Sequence, residues 1–356
     1  MINDRILNLQ ETLIDGEAFL VTSGSNRLYL TGFNSSAGTV LITKQKSVFF
    51  IDFRYFEKAK KTVNSCEVVL YDKGDKGIYD FCKAENIKTV FVEASHTSLA
   101  KHKYLSDLFT DITISTGNKL DLNLDNMRAV KSTEELKFIK HAQFLAEQTY
   151  NYILPRIKIG KTEREIMLDM EFYMRGLGAE GVAFDFIVVS GKNSSLPHGV
   201  PTNKKIENGD FITMDFGAII NGYCSDMTRT VAVGNISDEQ RNVYNTTLKA
   251  QLAAIGAIKA GAVCGDIDKI ARDIIYDAGY KGCFGHALGH SVGIDVHESP
   301  NLSPNNTTLL KTGNVVTVEP GIYLENKFGV RIEDMVFVTE DGCINLTTSP
   351  KELIIL

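Results

Sequence analysis

The 356-residue sequence is poor in three features that mark large classes of protein: paired cysteines, long apolar runs and an excess of basic residues. Its six cysteines include no C-x-x-C pair, which argues against a disulfide framework and favours free thiols in the cytoplasm. No apolar run approaches the roughly eighteen residues that a membrane span needs, and the N-terminal residues lack a signal-peptide pattern. The net charge of −6 argues against a nucleic-acid surface. We therefore expect a cytoplasmic protein with no membrane or nucleic-acid partner.

The length predicts two domains, because a single hydrophobic core stops growing near about 250–300 residues. In the first third, strand-like segments alternate with helical patterns, which favours an α/β domain around a central sheet. Strands are expected at 17–23, 38–42, 47–52, 66–72 and 89–95, and helices at 54–63, 77–86 and 99–109. Residues 120–132 interrupt the alternation, so we place the boundary between domains of residues 1–125 and 126–356.

Helix starts in the second domain are marked by residues that cap helix N-termini. Three of them are capping boxes, in which a Ser or Thr precedes a Glu or Gln by three residues. The predicted starts are at Ser132 with Glu135, Thr162 with Glu165, Ser237 with Gln240, and Asp266. They place two helices before each of two groups of strands, so the order helix–helix–strands occurs twice.

The two groups of strands also resemble each other in sequence. Residues 208–217, NGDFITMDFG, align without gaps on residues 312–321, TGNVVTVEPG. The alignment matches two glycines and a threonine in each segment, and it places Asp215 on Glu319. We therefore predict an internal duplication whose halves pack about a pseudo-twofold axis.

The buried hairpin predicted at 211–234 carries two acids, Asp215 and Asp226, although a buried carboxylate is costly unless something compensates it. The other half supplies Glu319 and, in its next strand, Glu333. Four carboxylates about 4 Å apart would repel by about 1–4 kcal/mol per pair. Two divalent cations would cancel this charge, and a dinuclear metal site is the standard chemical solution.

Histidines supply the remaining candidate ligands. His286, His290 and His297 lie together in the glycine-rich segment 284–300, and His198 lies in a loop. A single histidine is usually structural, but three in one such segment favour function. Oxygen-rich ligation with one imidazole suits Mn²⁺, Co²⁺ or Fe²⁺ better than a thiolate-type zinc site.

The sequence resembles the pita-bread metallopeptidases, specifically their aminopeptidase P and prolidase branch, over nearly its whole length. The resemblance rests on Asp215 in MDFG, Asp226 in SDMTRT, His290 in GHSVGIDVHE, Glu319 in VEPG and Glu333 in RIED. The first 125 residues resemble the creatinase-type domain, with TGF at 31–33 and DFRY at 52–55. The implied fold is α/β (α+β): a creatinase-type N-terminal α/β domain followed by a pseudo-twofold pita-bread catalytic domain.

The resemblance implies two divalent ions per chain, Mn²⁺ in the first place, with Co²⁺, Fe²⁺ or Zn²⁺ as alternatives. Asp226 and Glu333 would bind both ions, Asp215 would bind one, and His290 and Glu319 would bind the other. The ions would activate a water molecule as the nucleophile. Glu319 would also take the proton of this water as the general base.

The resemblance also implies roles for residues around the metals. His198 and His297 would stabilise the tetrahedral intermediate or move protons to the leaving proline nitrogen. His286 and Arg331 would contribute to substrate binding. His286 would line the pocket near the proline ring, and Arg331 would hold the carboxylate of a metal ligand in place. The implied reaction releases the N-terminal residue from Xaa-Pro peptides, with an Xaa-Pro dipeptidase as the alternative. The implied assembly is a homodimer.

Other functions compete with this interpretation. GHSVG at 289–293 matches the nucleophile elbow of serine hydrolases, with Ser291 as the nucleophile. However, no apolar strand directly precedes Ser291, and the last histidine follows it by only six residues. GLGAEG at 176–181 matches a dinucleotide fingerprint but follows a helix instead of a strand. A non-catalytic peptide-binding module is the third alternative, although such relatives typically lose metal ligands.

Metal content separates the enzyme from the binding module. We expect the purified protein to hold two divalent ions per chain, since a binding module has no need of them. Inductively coupled plasma mass spectrometry of the purified protein measures this, with a chelated and dialysed sample as the control. Metal content no higher than in that control would contradict the catalytic interpretation.

Overall fold

The computed structural model describes residues 2–356, with side chains from Asp4 onward. The chain divides into two compact units, residues 1–127 and 128–356. The boundary predicted between residues 125 and 126 lies inside a helix, Lys119–Ala129. Residues 120–132, where the sequence pattern of alternating strands and helices is interrupted, are mostly helical.

The N-terminal unit contains a mixed sheet flanked by helices. Its strands are β1 (Glu17–Val21), β2 (Thr39–Thr43), β3 (Ser47–Ile51), β4 (Glu67–Leu70), β5 (Thr89–Val92) and β6 (Thr113–Ser115). Its helices are α1 (Ile2–Glu11), α2 (Gly24–Thr31), α3 (Phe53–Thr62), α4 (Asp75–Ala84), α5 (Leu99–Leu108) and α6 (Lys119–Ala129). The strand order is β4-β3-β2-β1-β5-β6, with β2 antiparallel to both neighbours and the other pairs parallel. Each strand and helix predicted for this unit is present.

The C-terminal unit contains two successive groups of helices and strands. The first comprises α7 (Thr133–Ile153), α8 (Glu163–Gly176), β7 (Gly181–Val182), β8 (Ile187–Ser190), β9 (Phe211–Phe216), β10 (Ala218–Ile220), β11 (Tyr223–Cys224) and β12 (Met227–Ala232). The second comprises α9 (Asp238–Ala257), α10 (Cys264–Ile275), β13 (Gly289–Ser291), β14 (Glu298–Leu302), β15 (Val315–Val318), β16 (Gly321–Leu324), β17 (Phe328–Arg331), β18 (Asp334–Val338) and β19 (Cys343–Asn345). The strand orders are β12-β9-β8 and β11-β10-β7 in the first group, and β14-β13-β15-β18-β19 and β16-β17 in the second.

Helix starts follow the sequence signals at three of the four predicted positions. The helices α7, α8 and α9 each begin with a complete capping box, at Ser132, Thr162 and Ser237. The prediction for Asp266 is wrong, because α10 begins after Val263 and has no side-chain cap. Asp266 lies in the first turn instead, where a negative charge is still favoured by the helix dipole.

The predicted internal duplication is visible in the matching parts of the two groups. In each group, the strand matched by the sequence alignment lies in an antiparallel pair. These strands are β9, which pairs with β12, and β15, which pairs with β18. The matched glycines Gly209 and Gly313 both adopt positive φ, 89° and 95°, two residues before the first residue of β9 and of β15. The matched threonines Thr213 and Thr317 are both buried. The predicted fold class, an α/β unit followed by a duplicated domain, is confirmed.

Within the described residues, no helix has the length and apolar character that crossing a bilayer requires. The six cysteines are free.

A buried ion pair joins the two groups of strands. Arg229 on β12 donates to Asp334 on β18 at 2.8 Å and to the Ser349 carbonyl at 2.7 Å. Lys351 donates to the other oxygen of Asp334 at 2.6 Å. Both Arg229 and Asp334 are buried, so each charge depends on its partner.

We expect Asp334→Asn to lower the free energy of unfolding by about 3–5 kcal/mol, because it leaves Arg229 buried without its counter-charge. Urea unfolding followed by circular dichroism measures this change. The control is Asp273→Asn, which removes the exposed partner of Lys269 and should have little effect. Equal effects of the two substitutions would contradict the role given to Asp334.

Candidate metal centre

The first pair of acids is brought together by the pairing of β9 with β12. Asp215 lies on β9 opposite Thr228, and Asp226 directly precedes β12. Between these two acids the chain forms β10 and β11 and then comes back close to Gly217. A Cβ atom on Gly217 would lie 1.9 Å from the Ser225 carbonyl oxygen, so only glycine permits this approach.

The second pair of acids lies at the matching end of β15 and β18. Val318 pairs with Asp334, and therefore the adjoining residues Glu319 and Glu333 lie next to each other just beyond the strands. Glu333 is thus in the connection between β17 and β18, whereas the sequence analysis placed it within a strand. Here too a close approach depends on glycine, because a Cβ on Gly289 would lie 2.0 Å from the Thr317 carbonyl oxygen.

The two halves meet where β12 lies along residues 331–333. The Glu333 amide donates to the Thr228 carbonyl at 3.1 Å. The Thr230 hydroxyl accepts from the Arg331 amide at 3.2 Å and lies 2.9 Å from its carbonyl oxygen. These bonds fix the acids of one half against those of the other.

Three of the predicted metal ligands form a tight group. One ligand atom from each of Asp226, His290 and Glu333 lies within 4.8 Å of the others. His290 Nε2 lies 3.6 Å from Asp226 Oδ2 and 3.3 Å from Glu319 Oε1. The remaining predicted ligand, Asp215, adjoins this group and is held by Arg331 at 2.6 Å. The structure therefore brings all five predicted ligands into one region.

The donor atoms fit a divalent cation. Oδ1 of Asp215 and Oδ1 of Asp226 are buried and have no hydrogen-bond partner among the described residues. Buried carboxylate oxygens are normally satisfied, so these two atoms indicate a ligand that is not part of the chain. Carboxylate oxygens with one imidazole nitrogen suit metals such as Mn²⁺.

The electrostatics of the acids point to the same need. Burial, followed by the charges of neighbouring carboxylates, holds the pKa values of Asp226 and Glu333 well above the usual range. Burial also raises the pKa of Asp215, although the guanidinium of Arg331 opposes this shift. Without cations, the site therefore favours protonated acids.

Glu319 and His290 form a charge-compensated pair. Burial acts to raise the pKa of Glu319, but its hydrogen bond to His290 and the imidazolium charge lower the pKa overall. Burial acts to lower the pKa of His290, and the bond to Glu319 raises it overall. Glu319 is thus the site carboxylate that most readily remains ionised.

Hydroxyl groups and one guanidinium group orient the acids through hydrogen bonds. Thr228 donates to Glu333 at 2.7 Å and accepts from Arg331 Nε at 3.1 Å. Thr317 donates to Glu319 at 3.2 Å and accepts from the His290 amide at 3.0 Å. The sequence analysis missed both threonines. The signal that could have found Thr317 is its match to Thr213 in the duplication.

His286 and Arg331 both contact the hydroxyl group of Tyr323. Tyr323 lies 3.0 Å from His286 Nε2 and accepts from Arg331 Nη1 at 2.8 Å. Burial lowers the pKa of His286. Arg331 is buried and also donates to Asp215 and to the Pro197 carbonyl, so its guanidinium is occupied by protein groups. Tyr323 was not predicted from the sequence.

His297 and His198 occupy exposed positions beside the buried acids. The ring of His297 lies edge-on to that of His290, with centroids 4.4 Å apart. Partial burial and the charge of His290 lower the pKa of His297. His198 follows Pro197 on a turn, and its charge acts on both His286 and His297. Both side chains are exposed, which leaves them accessible to a bound peptide.

Ser291 does not have the surroundings of a nucleophile. It is fully buried, donates to the Val315 carbonyl at 2.8 Å and accepts from Lys131 at 3.0 Å. The structure therefore gives the serine-hydrolase alternative no support.

Two family models match the chain. The model of metallopeptidase family M24 matches residues 137–340. The creatinase/prolidase N-terminal domain matches residues 5–130. All the predicted site residues lie within the first of these matches.

Individual relatives cover nearly the whole chain. An uncharacterised peptidase of Bacillus subtilis is 42% identical over 346 residues, which is 96% of each chain. The structure of an Xaa-Pro dipeptidase from Bacillus anthracis is 39% identical, with a TM-score of 0.95 over 100% of both chains. The structure of an X-Pro aminopeptidase from Thermotoga maritima is also 39% identical, with a TM-score of 0.90 over 98% of this chain and 99% of the other.

The raised pKa values of Asp226 and Glu333 predict how stability depends on metal and pH. The metal-free protein gains stability from these acids when they are protonated, and loses it as the pH rises above the usual carboxyl range toward their folded-state pKa values. At pH 7 with chelator, we expect the melting temperature of Asp226→Asn to exceed that of the wild type by at least about 2–4 °C. This shift corresponds to a gain of about 1 kcal/mol in the free energy of unfolding. With Mn²⁺ added, the order should reverse, because the variant lacks a ligand.

Differential scanning calorimetry measures both conditions. The matched control is Asp210→Asn, whose carboxylate pairs with Lys204, and its effect should be the same with and without metal. An Asp226→Asn protein that melts below the wild type in both conditions would contradict the role of repulsion at this site.

Proposed function

Because the chain belongs to metallopeptidase family M24 and carries a creatinase/prolidase N-terminal domain, we propose that it releases the N-terminal residue from Xaa-Pro peptides by hydrolysing the bond that precedes proline. The family predicted from the sequence is confirmed. The observation that carries the proposal is the buried group of Asp226, His290 and Glu333 with its unpartnered carboxylate oxygens. The two solved relatives, an Xaa-Pro dipeptidase and an X-Pro aminopeptidase, indicate the substrate class.

Five residues would hold two divalent ions, namely Asp215, Asp226, His290, Glu319 and Glu333. Asp226 and Glu333 are the most deeply buried of the four acids, which supports a central position binding both ions. When bound, the ions supply Lewis-acid polarisation of the scissile carbonyl and lower the pKa of water.

Glu319 is proposed as the general base. A general base must be held in place beside the reacting water, and Glu319 lies within the group of predicted metal ligands, 3.3 Å from His290. Thr317 and His290 both contact its Oε1 atom, which fixes the orientation of the carboxylate.

His198 and His297 are proposed to act on the peptide. The lowered pKa of His297 leaves its ring neutral near pH 7, with one N–H to donate. Such a donor can stabilise the developing oxyanion or deliver a proton to the proline nitrogen. That nitrogen is tertiary and cannot leave without a proton. His286, buried against Phe284 and Tyr323, is proposed to line the proline pocket, and Arg331 to orient Asp215.

Dipeptidase activity is the second candidate, favoured by the name of the Bacillus anthracis relative. A dipeptidase must recognise the free carboxylate of proline. The guanidinium of Arg331 is committed to Asp215, Tyr323, Thr228 and Pro197, so it is not free for that carboxylate. This commitment supports a preference for longer peptides.

The remaining expectations concern the setting of the reaction. We propose Mn²⁺ as the native metal, because the donors are mostly carboxylate oxygens with one imidazole. We also propose a homodimer that works in the cytoplasm, where the six free cysteines would remain reduced.

A competition experiment tests the proposed reaction. The Mn²⁺-loaded protein receives equal amounts of an Xaa-Pro dipeptide and an Xaa-Pro-Yaa-Yaa peptide, and mass spectrometry follows both. We expect faster loss of the longer peptide, with release of its first residue, and no reaction after chelation. A peptide with alanine in place of proline is the matched control.

Cleavage of the dipeptide alone would replace the aminopeptidase with the dipeptidase. Absence of cleavage with any divalent metal would contradict the proposed reaction.

A further inference from the structure

The segment that carries His198 has little regular structure of its own. It runs from Ser190, at the end of β8, to Thr202 and contains one 3₁₀ turn at Gly191–Ser195. His198 itself is exposed. A catalytic group on such a segment needs contacts elsewhere to fix its position, because a displacement of about 1 Å can cost about 100-fold in rate.

Both ends of this segment are bound by one buried carboxylate, that of Glu163. Its Oε1 accepts from the Ser190 amide at 2.6 Å and from the Ser190 hydroxyl at 2.9 Å. Its Oε2 accepts from the Thr202 amide at 3.0 Å and from the Thr202 hydroxyl at 2.7 Å. The Asn193 amide group lies 3.1 Å from both oxygens. Each carboxylate oxygen therefore holds a different end of the segment.

Several features of the fold complement the carboxylate of Glu163. It is fully buried and is the first residue of α8, where the helix dipole favours a negative charge. Its bonds to amides and hydroxyls are charge-assisted and hence stronger than neutral ones. The backbone of α8 adds a further link, since the Arg164 amide donates to the Thr202 carbonyl at 3.0 Å.

The middle of the segment is hydrogen-bonded to β17, the strand that carries Gly329 and Arg331. Ser194 accepts from the Gly329 amide at 2.9 Å, and a Cβ on Gly329 would lie 2.2 Å from the Ser194 carbonyl oxygen. The Pro197 carbonyl accepts from Arg331, which in turn holds Asp215. His198 thus follows directly after a residue tied to a predicted metal ligand, within a segment closed at both ends by Glu163.

We infer that Glu163 is a positioning residue that fixes the segment 190–202 and thereby places His198 for its action on the substrate. The inference rests on the proposed function, because it takes the catalytic role of His198 from there. Glu163 does not contact the substrate and acts through the segment alone.

The substitution Glu163→Gln tests the inference with little change in shape. An amide has only one acceptor oxygen, so in either orientation its NH₂ group faces a backbone N–H donor, at Ser190 or at Thr202. We expect kcat/KM to fall by about 10- to 100-fold, because a displacement of His198 by up to about 1 Å would disturb its geometry for the reaction. The metal content should equal that of the wild type.

A double-mutant cycle with His198→Ala separates positioning from general destabilisation. If Glu163 acts through His198, Glu163→Gln should cost much less in the His198→Ala background than in the wild type. Equal costs in both backgrounds, a loss of metal, or wild-type kinetics for Glu163→Gln would each overturn the inference.

The matched control is Glu147→Gln on the neighbouring helix α7. Glu147 is also a buried carboxylate that accepts backbone N–H groups, but from Thr348 and Ser349. Its kinetics should stay near those of the wild type. If Glu163→Gln does not fold, Thr202→Val removes one hydroxyl donor and should give a smaller fall in kcat/KM, again dependent on His198; unchanged kinetics in that variant would overturn the inference.

Hydrogen–deuterium exchange gives a readout that requires no turnover. We expect faster exchange in Glu163→Gln, confined to the segment 190–202, and no such change in Glu147→Gln. Unchanged exchange there would overturn the inference. A wild-type protein that cleaves no peptide would instead contradict the proposed function, and the exchange result would still decide whether Glu163 anchors the segment.

Discussion

Crowding of four carboxylates in one buried region is the constraint on which the rest of the C-terminal unit depends. Asp215 and Asp226 come from one half of the duplication, and Glu319 and Glu333 come from the other. Since neither half holds enough cationic charge for its acids, they need divalent cations to be ionised together. Two observations support a requirement for cations: the pKa values of Asp215, Asp226 and Glu333 are raised, and Asp215 and Asp226 each have a buried oxygen without a hydrogen-bond partner among the described residues.

The surrounding framework holds this arrangement in place without neutralising it. Arg331 donates a hydrogen bond to Asp215, and threonine hydroxyls orient Glu333 and Glu319 while adding no charge. The pair of Arg229 with Asp334 fastens β12 to β18 directly behind Glu333. The contacts of Thr228 with Glu333, Arg331 with Asp215, and Arg229 with Asp334 each join residues more than a hundred positions apart in sequence, so the fold and the site stabilise each other.

The sequence allowed much of this structure to be predicted, because several of its signals are local or repeated. Capping boxes such as Ser132 with Glu135 mark helix starts within four residues, and the duplication placed Glu319 opposite Asp215. Asp266 shows the limit of a local rule, since an acid near a helix start can lie in the first turn rather than at the cap. Tyr323 and Glu163 left no such signal, because their roles depend on partners that only the folded chain brings near.

We propose that two cations, bound by acids from both halves, compensate the buried charge. Anomalous diffraction from crystals grown with Mn²⁺, recorded on both sides of the manganese absorption edge, tests it most directly. We expect two anomalous peaks per chain, with Asp226 and Glu333 between them. No peak at these acids, or a single peak bound by the acids of only one half, would contradict it.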